Sequence, residues 1–251
     1  MALRSAMESS SENPAHSPDS SRTLVIMAKA PRPGRVKTRL AQSLPVEAVT
    51  ELYCCLLDDT MALARSPLLG TVDVAIMCPA ADVEELTRLT RGVVDVVAQK
   101  GEGLAAGLTS VFAHFAASGR HRVVAFNSDS PHLPASVLES AFEVLAQHDV
   151  VAGPTHDGGY YLVGAKAAYP ALFDGDGMGT KSALEALLAR ARGLQLSVGY
   201  TDPFYDIDVE DDLTRLAAEL RLAPARAPRT AAWLEQWGDA VARLRTGTGD
   251  L

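Results

Sequence analysis

Five basic side chains, Lys29, Arg32, Arg35, Lys37 and Arg39, fall within eleven residues, and no acid occurs between Asp19 and Glu47. In a chain of formal charge −8, like charges crowded this closely repel one another and imply a bound anion. Pro31 and Pro33 stiffen the loop, so less entropy is lost on binding, and Gly34 allows a ligand to approach the backbone. The alternative is a solvated basic turn. The loop lacks the Gly-Lys-Ser/Thr ending of a P-loop, and the chain has no G-x-G-x-x-G, which argues against Walker-type and dinucleotide sites.

Carboxylates that suit a hard divalent cation come later. Arg122 to Phe126 reads as a strand, and the turn Asn127-Ser128-Asp129-Ser130-Pro131 places Asp129 at its carboxyl end. One or two such carboxylates, with ligand phosphates and water, are what magnesium takes. The alternative for Asp129 is a turn or cap residue before the next helix. In Asp206-Ile207-Asp208-Val209-Glu210-Asp211-Asp212, alternate residues of an extended segment share a face, so Asp206 and Asp208 can point together. Asp208 with Asp211 also suits a helix cap. His156-Asp157-Gly158-Gly159, beside Tyr160 and Tyr161, presents polar groups from a flexible turn and suits an acceptor or sugar. A plain hairpin is the competing reading there. His132 and His156 lie near these motifs without a defined partner, and no Ser-His-Asp or Cys-His arrangement supports a covalent nucleophile.

Alternating strands and helices must hold these loops. Leu24 to Met27 is a short apolar run of the kind a strand buried on both faces shows. A helix from Val46 to about Arg65, a strand over Thr71 to Cys78, a surface helix over residues 81–90 and a third strand over 93–99 follow. Helices over Leu104 to Ala117 and Pro134 to Ala146 flank the Asp129 strand. VVAGP, YYLVG, a helix over Lys181 to Ala191, a strand near Leu194 to Val198 and a helix from Val209 to Leu220 complete the order. This βα alternation implies a mostly parallel, doubly wound sheet whose strand ends gather ligands.

The 251 residues, 47% apolar, suffice for one large α/β domain, taken as residues 23–222. The Ser-rich residues 1–22 read as a disordered tail. Residues 223–251 read as a Pro-rich linker and a last helix, in which Trp233, Trp237, Val241 and Leu244 form a stripe that packs on the domain or on a second subunit of a homodimer. The acidic balance excludes wrapping a nucleic acid. Cys54, Cys55 and Cys78 have no metal or disulfide spacing, and no apolar run approaches the roughly 18 residues of a spanning helix. The expected location is cytoplasmic, with neither membrane nor nucleic acid as partner.

Four motifs in order, AKAPRPGRVKTRL, FNSDSPHLP, GPTHDGGYYLVG and DIDVEDDL, resemble those of a bacterial glycosyltransferase-like family, some members of which are associated with arsenosugar biosynthesis. It belongs to the GT-A, or nucleotide-diphospho-sugar transferase, superfamily, and the likeness spans residues 23–221. The resemblance implies a Rossmann-like GT-A fold with the nucleotide over the N-terminal half of the sheet and a magnesium or manganese ion. Lys37 to Leu40 is similar to the Lys-Thr-Arg-Leu ending of the same loop in the guanylyltransferase of coenzyme F420 biosynthesis. CMP-sugar synthetases have two motifs whose leading carboxylates share the metal, and by that likeness Asp129 and Asp208 form the pair here. His132 stands where relatives often have Asp, which implies altered acceptor choice. Val209 replaces a Thr cap, which implies that Asp208 caps the helix, and Ser130 replaces a common Cys.

The expected activity is metal-dependent nucleotidyl transfer from a nucleoside triphosphate to a small anionic substrate. Lys37, Asp129 and Asp208 are the catalytic set. Ala28, Lys29, Gly34, Arg35, Lys37, Arg39, Gly103 and Leu104 hold the nucleotide, and His156, Asp157, Gly158 and Gly159 face the acceptor or sugar. Glycosyl transfer from a nucleoside diphosphate sugar to a small-molecule acceptor is the alternative, and a nucleotide-binding regulator without turnover a third reading.

Overall fold

The computed structural model describes residues 22–175, 182–238 and 240–241. Residues 1–21 of the predicted tail, Lys181 at the head of a predicted helix, and Leu244 of the tryptophan stripe lie outside the described residues.

Seven strands form one sheet in the order β3-β2-β1-β4-β6-β5-β7. They are β1 (Thr23–Met27), β2 (Asp73–Cys78), β3 (Asp95–Ala98), β4 (Val123–Asn127), β5 (Val150–Pro154), β6 (Tyr160–Ala165) and β7 (Val198–Tyr200). All neighbours pair in parallel except β6, which runs antiparallel to both β4 and β5. The sheet is thus the mostly parallel one expected, with one reversed strand. That reversal returns the chain to the strand ends: residues 155–159 join β5 to β6 at the edge where β1, β2 and β4 also finish, with Met27 level with Met77 and Asn127.

Period-two alternation assigns β1 to two cores at once. Leu24 and Ile26 pack with α1 (Val46–Ala64), α2 (Val83–Leu89) and α4 (Ala135–Gln147) on one face. Val25 packs with α3 (Gly103–Ala117) and α5 (Ala183–Gly193) on the other. Each fully buried side chain of this size contributes about 1.5–3 kcal/mol. The strand predicted at residues 194–198 begins at Val198 and runs to Tyr200. Glycine is required within it, since a Cβ at Gly199 would lie 2.4 Å from Val144 and 2.6 Å from the His148 ring.

A third core joins α1 to α6 (Glu210–Leu222) and α7 (Pro228–Gln236), with Trp233 and Trp237 stacked at 5.9 Å. Trp233, Trp237 and Val241 thus pack against α1 and α6 of the same chain. Asp59 of α1, only 3% exposed, accepts hydrogen bonds from the backbone of Arg229 (3.2 Å) and Thr230 (2.8 Å) and from Thr230 Oγ1 (2.8 Å). An acid from one helix thereby caps another whose own N-cap, Ala227, has no side-chain oxygen. The three cysteines are free, and among the described residues no helix is long and apolar enough to cross a membrane.

Candidate active site

The loop after β1 is fastened where it leaves the strand. Lys29 N donates to Tyr53 Oη (3.0 Å), which hydrogen-bonds Ser128 Oγ (3.1 Å), and Ala30 N donates to the buried Asp82 (3.0 Å). The Tyr53 hydroxyl couples the loop after β1 to the turn holding Asp129, and burial raises it above its ordinary range so that it stays protonated. Arg32, one of the five clustered bases, is committed elsewhere: it pairs with Asp82 (2.8 Å) and Glu85 (2.8 Å) and donates to the Ala81 carbonyl. Arg32 is thereby withdrawn from the anion-binding set.

Gly34 has φ +71° and follows Pro33 in a turn closed by Arg35 N donating to Arg32 O (3.0 Å). Its conformational freedom makes this turn. Gly34 and Arg35 are exposed and stand outside the lining of the cleft, which corrects the expectation that Gly34 brings backbone against a ligand. Beyond the turn, Lys37 adopts φ +46° and its side chain turns inward, only 5% exposed. Lys37 Nζ lies 2.8 Å from Asp129 Oδ2 and 3.9 Å from Asp208 Oδ1, while Arg39 pairs with the other oxygen of Asp208.

The segment after β7 delivers Asp206 and Asp208 by crossing the strand ends. Thr201 N donates to Ala152 O, Phe204 N to Pro154 O and Ile207 N to Asp129 O, and Ser130 Oγ donates to Tyr205 O. Ser130 therefore holds two loops together. Asp208 does not cap α6, contrary to expectation: the carboxylate of Asp212 accepts from Asp208 N (3.0 Å) and Val209 N (2.9 Å), leaving the Asp208 side chain facing the basic loop. Burial, with Asp129 and Asp208 nearby, holds the Asp206 carboxyl above its ordinary range against the opposing pull of Lys37.

These groups open onto a cleft of about 760 Å³, within the usual range for a small ligand. Ala28, Lys29, Arg39, Gly103, Leu104, Asp129, Asp206 and Asp208 line it, with Thr155, Asp157 and Gly159 opposite. Of the acceptor-facing set, His156 and Gly158 are outside the lining. His156 is exposed, and the Gly158 carbonyl accepts from Leu184 N (3.1 Å) at the start of α5. The connection is indeed a hairpin, tightened by Asp157 accepting from Thr155 Oγ1 (2.6 Å) and Gly159 N (3.3 Å), and it still borders the cleft. Sequence reasoning missed Tyr53, which looks like one more large side chain on the buried face of α1.

His132 is not an acceptor contact. It is fully buried between Phe204 (4.8 Å) and Tyr205 (4.6 Å), neither ring nitrogen has a partner among the described residues, and burial with Arg226 and Arg215 holds its pKa down at about 3. The folded ring is neutral while the unfolded one, near 6.5, takes up a proton. Its contribution to stability is complete above about pH 6.5 and falls by about 1.4 kcal/mol per unit as pH drops toward 3. Thermal melts at pH 7 and 4.5 should show a smaller acid loss for His132→Phe than for the wild type, and equal losses would contradict this.

The sheet order, the single reversed strand and the strand-edge cleft define a Rossmann-like, GT-A-like α/β fold, similar to that of nucleotide-diphospho-sugar transferases. Residues 62–180 match the profile of a bacterial family described as uncharacterized protein conserved in bacteria (DUF2064), a stretch that holds Asp129 and the 155–159 turn. A protein of Desulfovibrio desulfuricans G20, provisionally assigned as a nucleotide-diphospho-sugar transferase, is 26% identical with a TM-score of 0.81, over 88% of this chain and 97% of its own. A nucleotidyl transferase of Methanothermobacter thermautotrophicus (18% identity, TM-score 0.54, 81% of this chain and 99% of that one) shares the fold. So does a cytidylyltransferase of Leptospira borgpetersenii (10% identity, TM-score 0.53, 87% and 94%). No curated protein matches.

Proposed function

We propose that the chain is a nucleotide-dependent transferase that moves a nucleotidyl group from a nucleoside triphosphate to a small anionic acceptor. The observation that carries this reading is the meeting of Lys37, nearly buried and outside the cleft lining, and Arg39, both from the loop after β1, with Asp129 and Asp208; Arg39 and the two carboxylates line the cleft. Nucleotide-using names among proteins of the same fold support it.

The carboxylates fit a magnesium or manganese ion. Asp129 and Asp208 converge on a point already held by a cation, the Lys37 ammonium. Among the described residues no group of three or more His, Cys, Asp or Glu could hold a metal, so a cation bound by this pair keeps positions for phosphate oxygens and water. Charge requires it as well: Asp129, Asp206 and Asp208 offset Lys29, Lys37 and Arg39, leaving little net positive charge to attract a triphosphate. A divalent cation held there would neutralise phosphate charge as the pyrophosphate leaves.

The chain's own groups do the rest. Lys29, which has no ion pair among the described residues, and Lys37 and Arg39 neutralise the phosphates, while Arg35, outside the cleft, is left out of that set. Gly103 and Leu104, at the start of α3, border the base, and Asp157 and Gly159 face the acceptor. An acceptor oxygen forms a bond to the α-phosphorus, the bond to the bridging oxygen breaks, and pyrophosphate carries off its electron pair.

Glycosyl transfer is the second reading, favoured by the 26% identical relative and by the 155–159 turn at the cleft wall. Incubation with magnesium and nucleoside triphosphates or nucleotide sugars, over phosphorylated and hydroxylated acceptors, separates them. Pyrophosphate release supports nucleotidyl transfer, and free nucleoside diphosphate supports glycosyl transfer. Lys37→Ala should weaken nucleotide binding in the presence of magnesium by about 1–3 kcal/mol, measured by calorimetry. An unchanged Kd contradicts the loop's role.

A further inference from the structure

We propose that Lys37 is a built-in counter-cation: it keeps the Asp129 and Asp208 pair closed, and a divalent cation and a phosphate ligand bind with positive coupling because each needs this side chain moved. The proposal rests on the reading of that pair as the cation site.

Lys37 and Arg39 differ in a telling way. Arg39 is 67% exposed and reaches Asp208 from solvent, whereas Lys37 is 5% exposed and its Nζ sits between two carboxylates. The chain maintains this placement against a local cost. φ is +46°, a region that a residue with a Cβ enters with difficulty, and Ala41 N donating to Lys37 O (3.1 Å) helps hold it. Backbone strain of this kind persists where the surrounding structure requires the side chain in one place.

An ammonium and a divalent cation cannot share the same two carboxylates, because like charges a few ångströms apart repel strongly where water is scarce. A cation arriving alone must therefore displace Lys37 and leave a nearly buried ammonium without an anion. A phosphate arriving alone finds Lys37 and Arg39 engaged and three carboxylates facing it. Together they satisfy everything: the metal takes Asp129 and Asp208, and Lys37 turns to the phosphate. Coupling of this sort is reciprocal by thermodynamic necessity.

Manganese binding to the full chain, measured by calorimetry, tests this. Lys37→Asn tolerates the left-handed backbone and Lys37→Met keeps the bulk, so a variant melting within a few degrees of the wild type is informative. Either should bind manganese at least about tenfold more tightly than the wild type, and the gain in inorganic triphosphate affinity that manganese brings should shrink several-fold. Arg39→Gln, which removes a charge of the same sign, should tighten manganese only about two- to threefold.

Affinity unchanged in the Lys37 variants, or raised no more than in Arg39→Gln, overturns the proposal, and so does an unshrunken triphosphate gain. Asp129→Asn separates the two claims: if it abolishes manganese binding while the Lys37 variants behave as wild type, the cation site stands and the counter-cation fails. If manganese binding survives Asp129→Asn, both fall. Should neither Lys37 variant fold, acetylation of Lys37 in the wild type, read by mass spectrometry, decides. It should rise with manganese and fall again with triphosphate, and no response to manganese overturns the proposal.

Discussion

Replacing Asp129 by Asn should lower kcat/KM for transfer by about a hundred- to a thousandfold while moving the melting temperature by no more than a few degrees. The kinetic loss follows from the charge: an amide cannot hold a divalent cation as a carboxylate does, and preorganised charge at the reacting phosphate is commonly worth about 3–4 kcal/mol. The small stability change follows from shape and partners. Asn retains an oxygen that can accept from Lys37 Nζ, now at 2.8 Å from Asp129, and Asp208 at 3.9 Å remains as counter-charge. Backbone contacts such as Ile207 N to Asp129 O are untouched. Full activity in this variant removes Asp129 from the mechanism, and a collapse in melting temperature assigns it to the fold.

The second large effect is structural and lies on the far side of α1. Asp59→Ala should destabilise the protein by about 3 kcal/mol, because Thr230 N, Thr230 Oγ1 and Arg229 N lose a buried charged acceptor and no other cap is supplied. At this chain length that corresponds to a drop of about 6–12 °C in melting temperature. Loosening of α7 would follow, visible as faster amide exchange across Pro228–Gln236. A melting temperature within 2 °C of the wild type, on the same scale of about 2–4 °C per kcal/mol, would show that α7 is held by its tryptophans alone.

Much of the architecture was legible because it is local. The apolar run at Leu24 to Met27 and the spacing of Val49, Leu52, Tyr53 and Leu56 report burial and period directly. The reversal of β6 was not, since a buried apolar strand reads the same in either direction. Its only sign was Asp157-Gly158 in a short connection, the hairpin reading that competed with function, and the hairpin found there borders the cleft. β7 was displaced along the chain because Gly199, at its centre, is selected by the neighbouring Val144 and His148 and carries no apolar signal of its own.

The candidate site was legible in residue type more than in partnership. Basic loop, Asp129, Asp206 and Asp208 could be picked out from charge and position. Which base meets which acid could not, for Lys37 and Asp208 are joined only by the path of the segment after β7 across the strand ends. The same limit hid the neutralisation of Arg32 by Asp82 and Glu85 and the displacement of Asp208 from the helix cap by Asp212. His132 shows the opposite error: proximity to a motif suggested acceptor choice, but aromatic packing takes the ring out of the cleft.

The most direct test is a crystal structure grown with magnesium and a non-hydrolysable nucleoside triphosphate. Phosphates against Lys29, Lys37 and Arg39, with the metal between Asp129 and Asp208 and Lys37 turned away from both, is the predicted result. Nucleotide bound elsewhere, with that cleft free of phosphate and the ammonium still on its carboxylates, would contradict the account.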